Sequence, residues 1–276
     1  MHPVLTMLHR EWLENPLVSR VPFFLLACIT LLFISIMVNS DFEHYSIFQI
    51  STQDSDQEIQ RKLGDELSTL IAGGSGLLSI LLGTLYFPRT LRKERSEGSI
   101  MFWRSMPVSD TQTHLVKLAF SLLVIPLVCS SLVIISDLML WALNILTDHQ
   151  IGFLSRYSSM AYVLMHWVEF LMRMGLAALF LLPVGLTMMA ISQKLSSPLV
   201  ILALAIYALR WMPIALFGYY GVDEFVSKMF YLPFHAILGQ NPLDALIEAG
   251  SAYIGIYALI GLLAWTINLR FSRTIK

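Results

Sequence analysis

Charge is scarce in this chain. Only 13% of its 276 residues are Asp, Glu, Lys or Arg, against 56% hydrophobic, and the mean hydropathy is +0.68. A soluble globule of this length needs more polar surface to face water, so an integral membrane protein is expected. Cysteine is nearly absent. Cys28 and Cys129 both lie in apolar runs, where the residue behaves as a small hydrophobe, and no disulfide is expected. Walker A, HExxH, GxSxG and CxxC patterns are all missing, so ATP hydrolysis and the commoner hydrolase and metal chemistries have no signature here. No catalytic residue and no metal site are expected. The 14 methionines are scattered and form no ligand motif with histidine, so they read as apolar filler rather than as a copper site. The net charge of −1 says little about partners, and nucleic acid is not an expected one.

What the chain has is apolar length. An α-helix crosses a hydrocarbon core of about 30 Å with about 20 apolar residues. Six runs qualify, at approximately 21–39, 67–87, 115–136, 174–191, 198–217 and 249–269. The expected fold is therefore all-α, with six transmembrane helices forming a single domain over 1–276. The opening PVLTMLHREWLENPLVSR places Val4, Leu5, Leu8, Trp12 and Leu13 at helical spacing with His9, Arg10, Glu11 and Glu14 between them, the pattern of an amphipathic helix lying in the membrane interface. About 20 mixed residues precede the first run, so a cleavable signal is not expected.

Four further expectations follow from local pattern. Ser75, Ser79 and Gly83 recur every four residues with Gly76 on an adjacent row, and small residues so spaced let helices approach closely. That face should pack against another helix or a second protomer, or else line a pathway. Ser109 and Gln112 have capping-box spacing ahead of the third span. Residues 159–191 are apolar for 33 positions, about 50 Å as one helix, so an interfacial helix followed by a span at 174–191, bent at Pro183, is expected. The segment 218–248 is punctuated by Pro233, Gly239 and Pro242, which suggests a broken pair of short re-entrant or interfacial helices between the fifth and sixth spans.

Orientation comes from the basic residues. With the amino terminus inside, twelve Lys and Arg fall on that side and four, Arg61, Lys62, Arg156 and Lys228, on the other. The positive-inside rule then puts both termini in the cytoplasm. On this topology Asp137, His166, Glu169, Arg173 and Arg210 fall toward the outer half. Glu169 and Arg173 stand four apart on one helix face, and the five residues could form an outer gate or simply pair at the interface.

The densest basic stretch, RTLRKERSEGSIMFWRSMPVSDTQTHLVK at 89–117, lies between the second and third spans. Helix two can continue past Pro88 as RTLRKERSE, break at Gly98, restart as a short apolar helix and stop at Pro107. Ile100 and Trp103 could fill a groove on a soluble partner while Arg95 and Arg104 face its carboxylates. A plain basic loop obeying the charge rule is the simpler alternative.

The pattern ERSEGSIMFWRSMPVSDTQTHLVKL at 94–118 resembles the cytoplasmic loop of type 2 ABC export permeases, with its ER pair, Gly followed by Ser, apolar helix, Pro-Val-Ser turn and Lys before helix three. HREWLENPLVSR is similar to that family's interfacial helix. The resemblance implies that Glu94, Arg95, Gly98, Ile100, Trp103, Arg104 and Pro107 belong to a coupling helix. It also implies a permease dimer, a homodimer by expectation, in the bacterial inner membrane. Two ABC ATPase subunits would bind ATP and Mg, and the dimer would export a substrate by alternating access. This chain would then be no enzyme itself. The alternatives are a non-transporting scaffold or mechanotransmission partner of an ATPase, and an ATP-independent secondary transporter. The last predicts an internal repeat, and none is evident between 1–138 and 139–276.

Overall fold

The structure, a computed structural model, describes residues 3–38, 56–96, 109–146, 152–195 and 197–274. No strand occurs among them. Helix α1 spans Pro3–Glu14, α2 Pro16–Val38, α3 Asp56–Ser96 and α4 Asp110–Ala119. A π-turn at Phe120–Val124 joins α4 to α5, Ile125–Leu146, and a 3-10 turn, Gly152–Ser158, precedes α6, Met160–Ser192. Then follow α7, Pro198–Phe217, α8, Gly221–Leu238, α9, Asp244–Ala249, and α10, Ser251–Thr274. Six helical stretches, 16–35, 61–88, 110–146, 160–192, 198–217 and 251–272, are long and apolar enough to cross a membrane. The protein is a multi-pass, all-α membrane protein.

Contacts divide the chain into two compact units. The first comprises 1–16, 79–126 and 173–276, the second 17–78 and 127–172.

In the first unit the helices approach closely where side chains are smallest. A β-carbon on Gly185 would stand 2.6 Å from the Phe87 ring, and one on Gly83 would stand 3.0 Å from Ser121 Oγ. Ser121 belongs to the π-turn, in which the Ile125 N–H reaches back to Phe120 O. Pro126 follows directly, and a proline ring clashes with the carbonyl four residues earlier in a regular helix, so the wider turn accommodates it. Pro183 lies inside α6 and withholds a helix donor. Tyr257 of α10 donates its hydroxyl to Phe180 O at 2.7 Å in that same turn, and Gly261 lets α10 pass within contact of the Pro183 ring. Gly218, at φ 64, closes α7 in the left-handed conformation that glycine adopts without strain, with its N–H on Ile214 O.

Three boundaries differ from the sequence reading. Residues 160–192 form one unbroken helix rather than an interfacial helix followed by a span at 174–191. No breaker stands between the two pieces, and an uninterrupted helix satisfies every backbone group internally in an apolar medium. Helix α8 runs through Pro233. The missing hydrogen bond is offset by the buried stripe Met229, Leu232, Pro233, Ala236 and Ile237, and the chain breaks only at Gly239. The third span is longer than 115–136, running from 110 to 146. Helix α3 continues past Pro88 to Ser96, as RTLRKERSE predicted.

Candidate functional site

Helix α1 turns an unexpected residue inward. Its stripe Val4, Met7, Leu8 and Glu11 recurs at helical spacing, and Met7 and Glu11 are buried while Leu5 and Leu13 are exposed. Glu11 Oε1 pairs with Lys117 Nζ of α4 at 3.4 Å, with side chains 8% and 2% exposed. Glu11 Oε2 accepts from the Tyr86 hydroxyl of α3 at 2.8 Å and from Asn15 Nδ2 at 3.3 Å. A carboxylate and an ammonium so buried persist only because each has partners that replace water. One carboxylate therefore ties together the helix that enters the basic stretch and the helix that leaves it. The leaving helix starts with the expected capping box: Ser109 Oγ accepts from the Gln112 N–H, and Gln112 Oε1 accepts from the Ser109 N–H.

One turn earlier on α4 a second polar row begins. His114 Nδ1 lies 2.7 Å from Asp110 O, and a carbonyl only accepts, so that nitrogen carries a proton. Gln193 Nε2, in the turn after α6, stands 3.5 Å from His114 Nε2 and donates to Asn268 Oδ1 of α10 at 2.9 Å. Asn268 Nδ2 in turn donates to Leu186 O at 2.8 Å. All three side chains are buried, and the row joins the ends of α4, α6 and α10.

The five polar residues expected to gate or simply to pair toward the outer half are divided between the two units. In the second unit, Asp137 Oδ2 and His166 Nδ1 are 2.7 Å apart, with side chains 0% and 10% exposed. In the first unit, Arg173 donates to the carbonyls of Gly239 at 2.6 Å and Gln240 at 3.1 Å. Those groups lie at the negative end of α8, where a cation is favoured by the helix dipole. Arg210 of α7 bonds Asp223 and Ser227 of α8. Glu169 is exposed on α6. Among the described residues no group of three or more His, Cys, Asp or Glu is placed to hold a metal.

Ser75, Gly76, Ser79 and Gly83 are all buried. Glu94 and Arg95 lie on the last turns of α3. Gly98, Ile100, Trp103, Arg104 and Pro107 fall outside the described residues.

Sequence reasoning gave no inward role to Glu11, Tyr86, Gln193 or Asn268. Glu11 alone had a signal: it sits seven residues from Val4 on the apolar stripe. Comparison with protein-family models, with curated proteins and with solved structures returned no match.

Proposed function

We propose that this chain is the membrane-spanning subunit of an ATP-driven exporter, a permease that works as a dimer with two ABC ATPase subunits carrying ATP and Mg. The coupling segment in this reading runs from Glu94 to Pro107. Both termini and the basic stretch lie in the cytoplasm of a bacterial inner membrane, and the segment around α8 and α9 lies at the opposite face. The supporting observation is the Glu11 link. A soluble motor that pushes on one short segment moves spans only if the flanking helices respond as one body. Glu11 bonds Tyr86 on α3 and pairs with Lys117 on α4, so a displacement of the segment is delivered to both. Helix α3 extends eight residues past Pro88, about 12 Å of rigid rod at 1.5 Å per residue. Helix α7, whose apolar window is 0% buried, offers a face to lipid or to a second copy.

The reading is tested by affinity purification of the full chain from native membranes, followed by ATPase assay of the complex in vesicles. A co-purifying ATPase whose hydrolysis is lost on Gly98→Pro or Trp103→Ala, with the complex still assembled and folded, supports it. Absence of any ATPase, or hydrolysis and transport unchanged in both variants, overturns it.

A further inference from the structure

Between α3, the π-turn and α6, all within the first unit, lies a pocket of about 390 Å³, part of which is its open mouth. Phe87, Met174 and Met188 belong to its apolar wall, and among the described residues no charged side chain lines it. Its interior has room for about one water-sized group. Every lining residue lies within one of three apolar spans, so what reaches the mouth arrives from the lipid.

Two polar atoms of one residue meet in this pocket. Ser121 is 3% exposed, and its Oγ has no hydrogen-bond partner among the described residues. Other buried serines of this chain use their hydroxyls: Ser130 and Ser192 donate to the carbonyl three residues earlier at 2.7 and 2.8 Å. The second atom is Ser121 O. In the π-turn the Ile125 N–H goes to Phe120 O, and Pro126 has no N–H, so the helix supplies this carbonyl with no donor. Both atoms lie toward Gly83 of α3, where a β-carbon would stand 3.0 Å from Oγ and 3.8 Å from O. The glycine keeps the approach to them open. Isolated π-turns inside helices are frequent at functional sites, and here the turn is what leaves the carbonyl available.

We infer that this pocket binds the hydroxyl end of a lipid-soluble primary alcohol, a straight alkyl chain whose O–H donates to Ser121 O and whose oxygen accepts from Ser121 Oγ, with the chain lying in the apolar mouth. A hydroxyl combines one donor and an acceptor in a group the size of water, which is what the two Ser121 atoms and the narrow interior require. A carboxylate, phosphate or ammonium would bring a charge into a lining that holds no counter-charge. The acyl tail of a surrounding lipid has neither donor nor acceptor, and an ether has an acceptor alone, which leaves Ser121 O unserved. In hydrocarbon no water competes for these atoms, so a ligand that satisfies both is held by them. The assignment stands apart from how the protein is powered.

The test uses the full chain in lipid nanodiscs and a photoreactive n-decanol with a mid-chain diazirine, the labelled peptides being mapped by mass spectrometry. Label is expected in the segments 79–88, 121–126 and 174–188. Plain n-decanol should protect them, and decyl methyl ether at the same mole fraction in the membrane should not. Ser121→Ala should raise the n-decanol needed for half protection by roughly three- to tenfold, the scale of one lost hydrogen bond. Label spread over the other spans without preference overturns the site. Equal protection by the ether overturns the alcohol assignment in favour of a plain apolar groove, and an unchanged Ser121→Ala curve overturns it in favour of a water molecule on Ser121. Should Ser121→Ala not fold, the comparison of alcohol with ether in the wild type decides alone.

Discussion

Glu11 and Lys117 meet at 3.4 Å with their side chains 8% and 2% exposed, so an ion pair stands where two apolar helices would ordinarily close with apolar residues. Breaking such a pair costs more than never having had it, because the survivor is left charged and dry. Glu11→Ala should destabilise the folded protein by about 3–5 kcal/mol, since Lys117 loses its counter-ion and Tyr86 its acceptor. Glu11→Leu combined with Lys117→Met should recover most of that loss. Thermal unfolding of the wild type, Glu11→Ala, Glu11→Leu, Lys117→Met and the double variant in detergent checks both statements, and additive effects of Glu11→Leu and Lys117→Met would show that the pair is not coupled.

Glycines 185 and 175 lie on the same helix and should respond oppositely to alanine. A β-carbon at Gly185 meets the Phe87 ring at 2.6 Å, and Phe87 is itself buried, so Gly185→Ala is expected to cost about 1–3 kcal/mol through overpacking. Gly175 has nothing within 4 Å of that position. Gly175→Ala should be neutral or stabilising by up to about 1 kcal/mol, through helix propensity. Unfolding midpoints of the two variants decide the matter.

Arg173 closes the carboxyl end of α8. Its guanidinium donors satisfy carbonyls that the helix leaves without partners. Arg173→Leu should cost about 1.5–3 kcal/mol, the scale of hydrogen bonds to charged groups. Amide exchange should rise around 236–240. Lysine, a point charge without a planar fork, should restore only part of the protection. Exchange unchanged in Arg173→Leu would show that the cap is dispensable.

Tyr157 links stability to alkaline pH. Burial, and then the neighbouring Asp137 charge, hold its hydroxyl well above the usual tyrosine value of 10.0. The unfolded chain therefore releases this proton at a pH where the folded protein still keeps it. Stability is present in full below pH about 10 and falls as pH rises above it. Thermal unfolding measured across that range should show a steeper alkaline loss for the wild type than for Tyr157→Phe, and parallel curves would count against it.

The number and approximate places of the spans were legible in the sequence because crossing a bilayer is a one-dimensional requirement: enough consecutive apolar residues at 1.5 Å each. The capping box at Ser109 and Gln112 and the extension of α3 past Pro88 were legible for the same reason, since each depends on residues a few positions apart. The unbroken α6 and the passage of α8 through Pro233 were not. Whether a helix survives a proline, or runs on beyond the bilayer length, depends on what packs beside it. Polar pairing was least legible of all. Asp137, His166, Arg173 and Arg210 were recognisable as costly in an apolar run, yet their partners came from elsewhere in the chain: a histidine 29 positions on, backbone carbonyls 66 and 67 positions on, an aspartate 13 positions on. Glu11 looked like the polar face of an interfacial helix until Tyr86, 75 positions away, and Lys117 closed around it. The sequence by itself determined that this protein lives in a membrane and which stretches cross it. Only the tertiary structure decided which charges are buried and what each one holds, because a charge in a dry interior is stable only beside a partner, and sequence spacing does not say which side chains become neighbours.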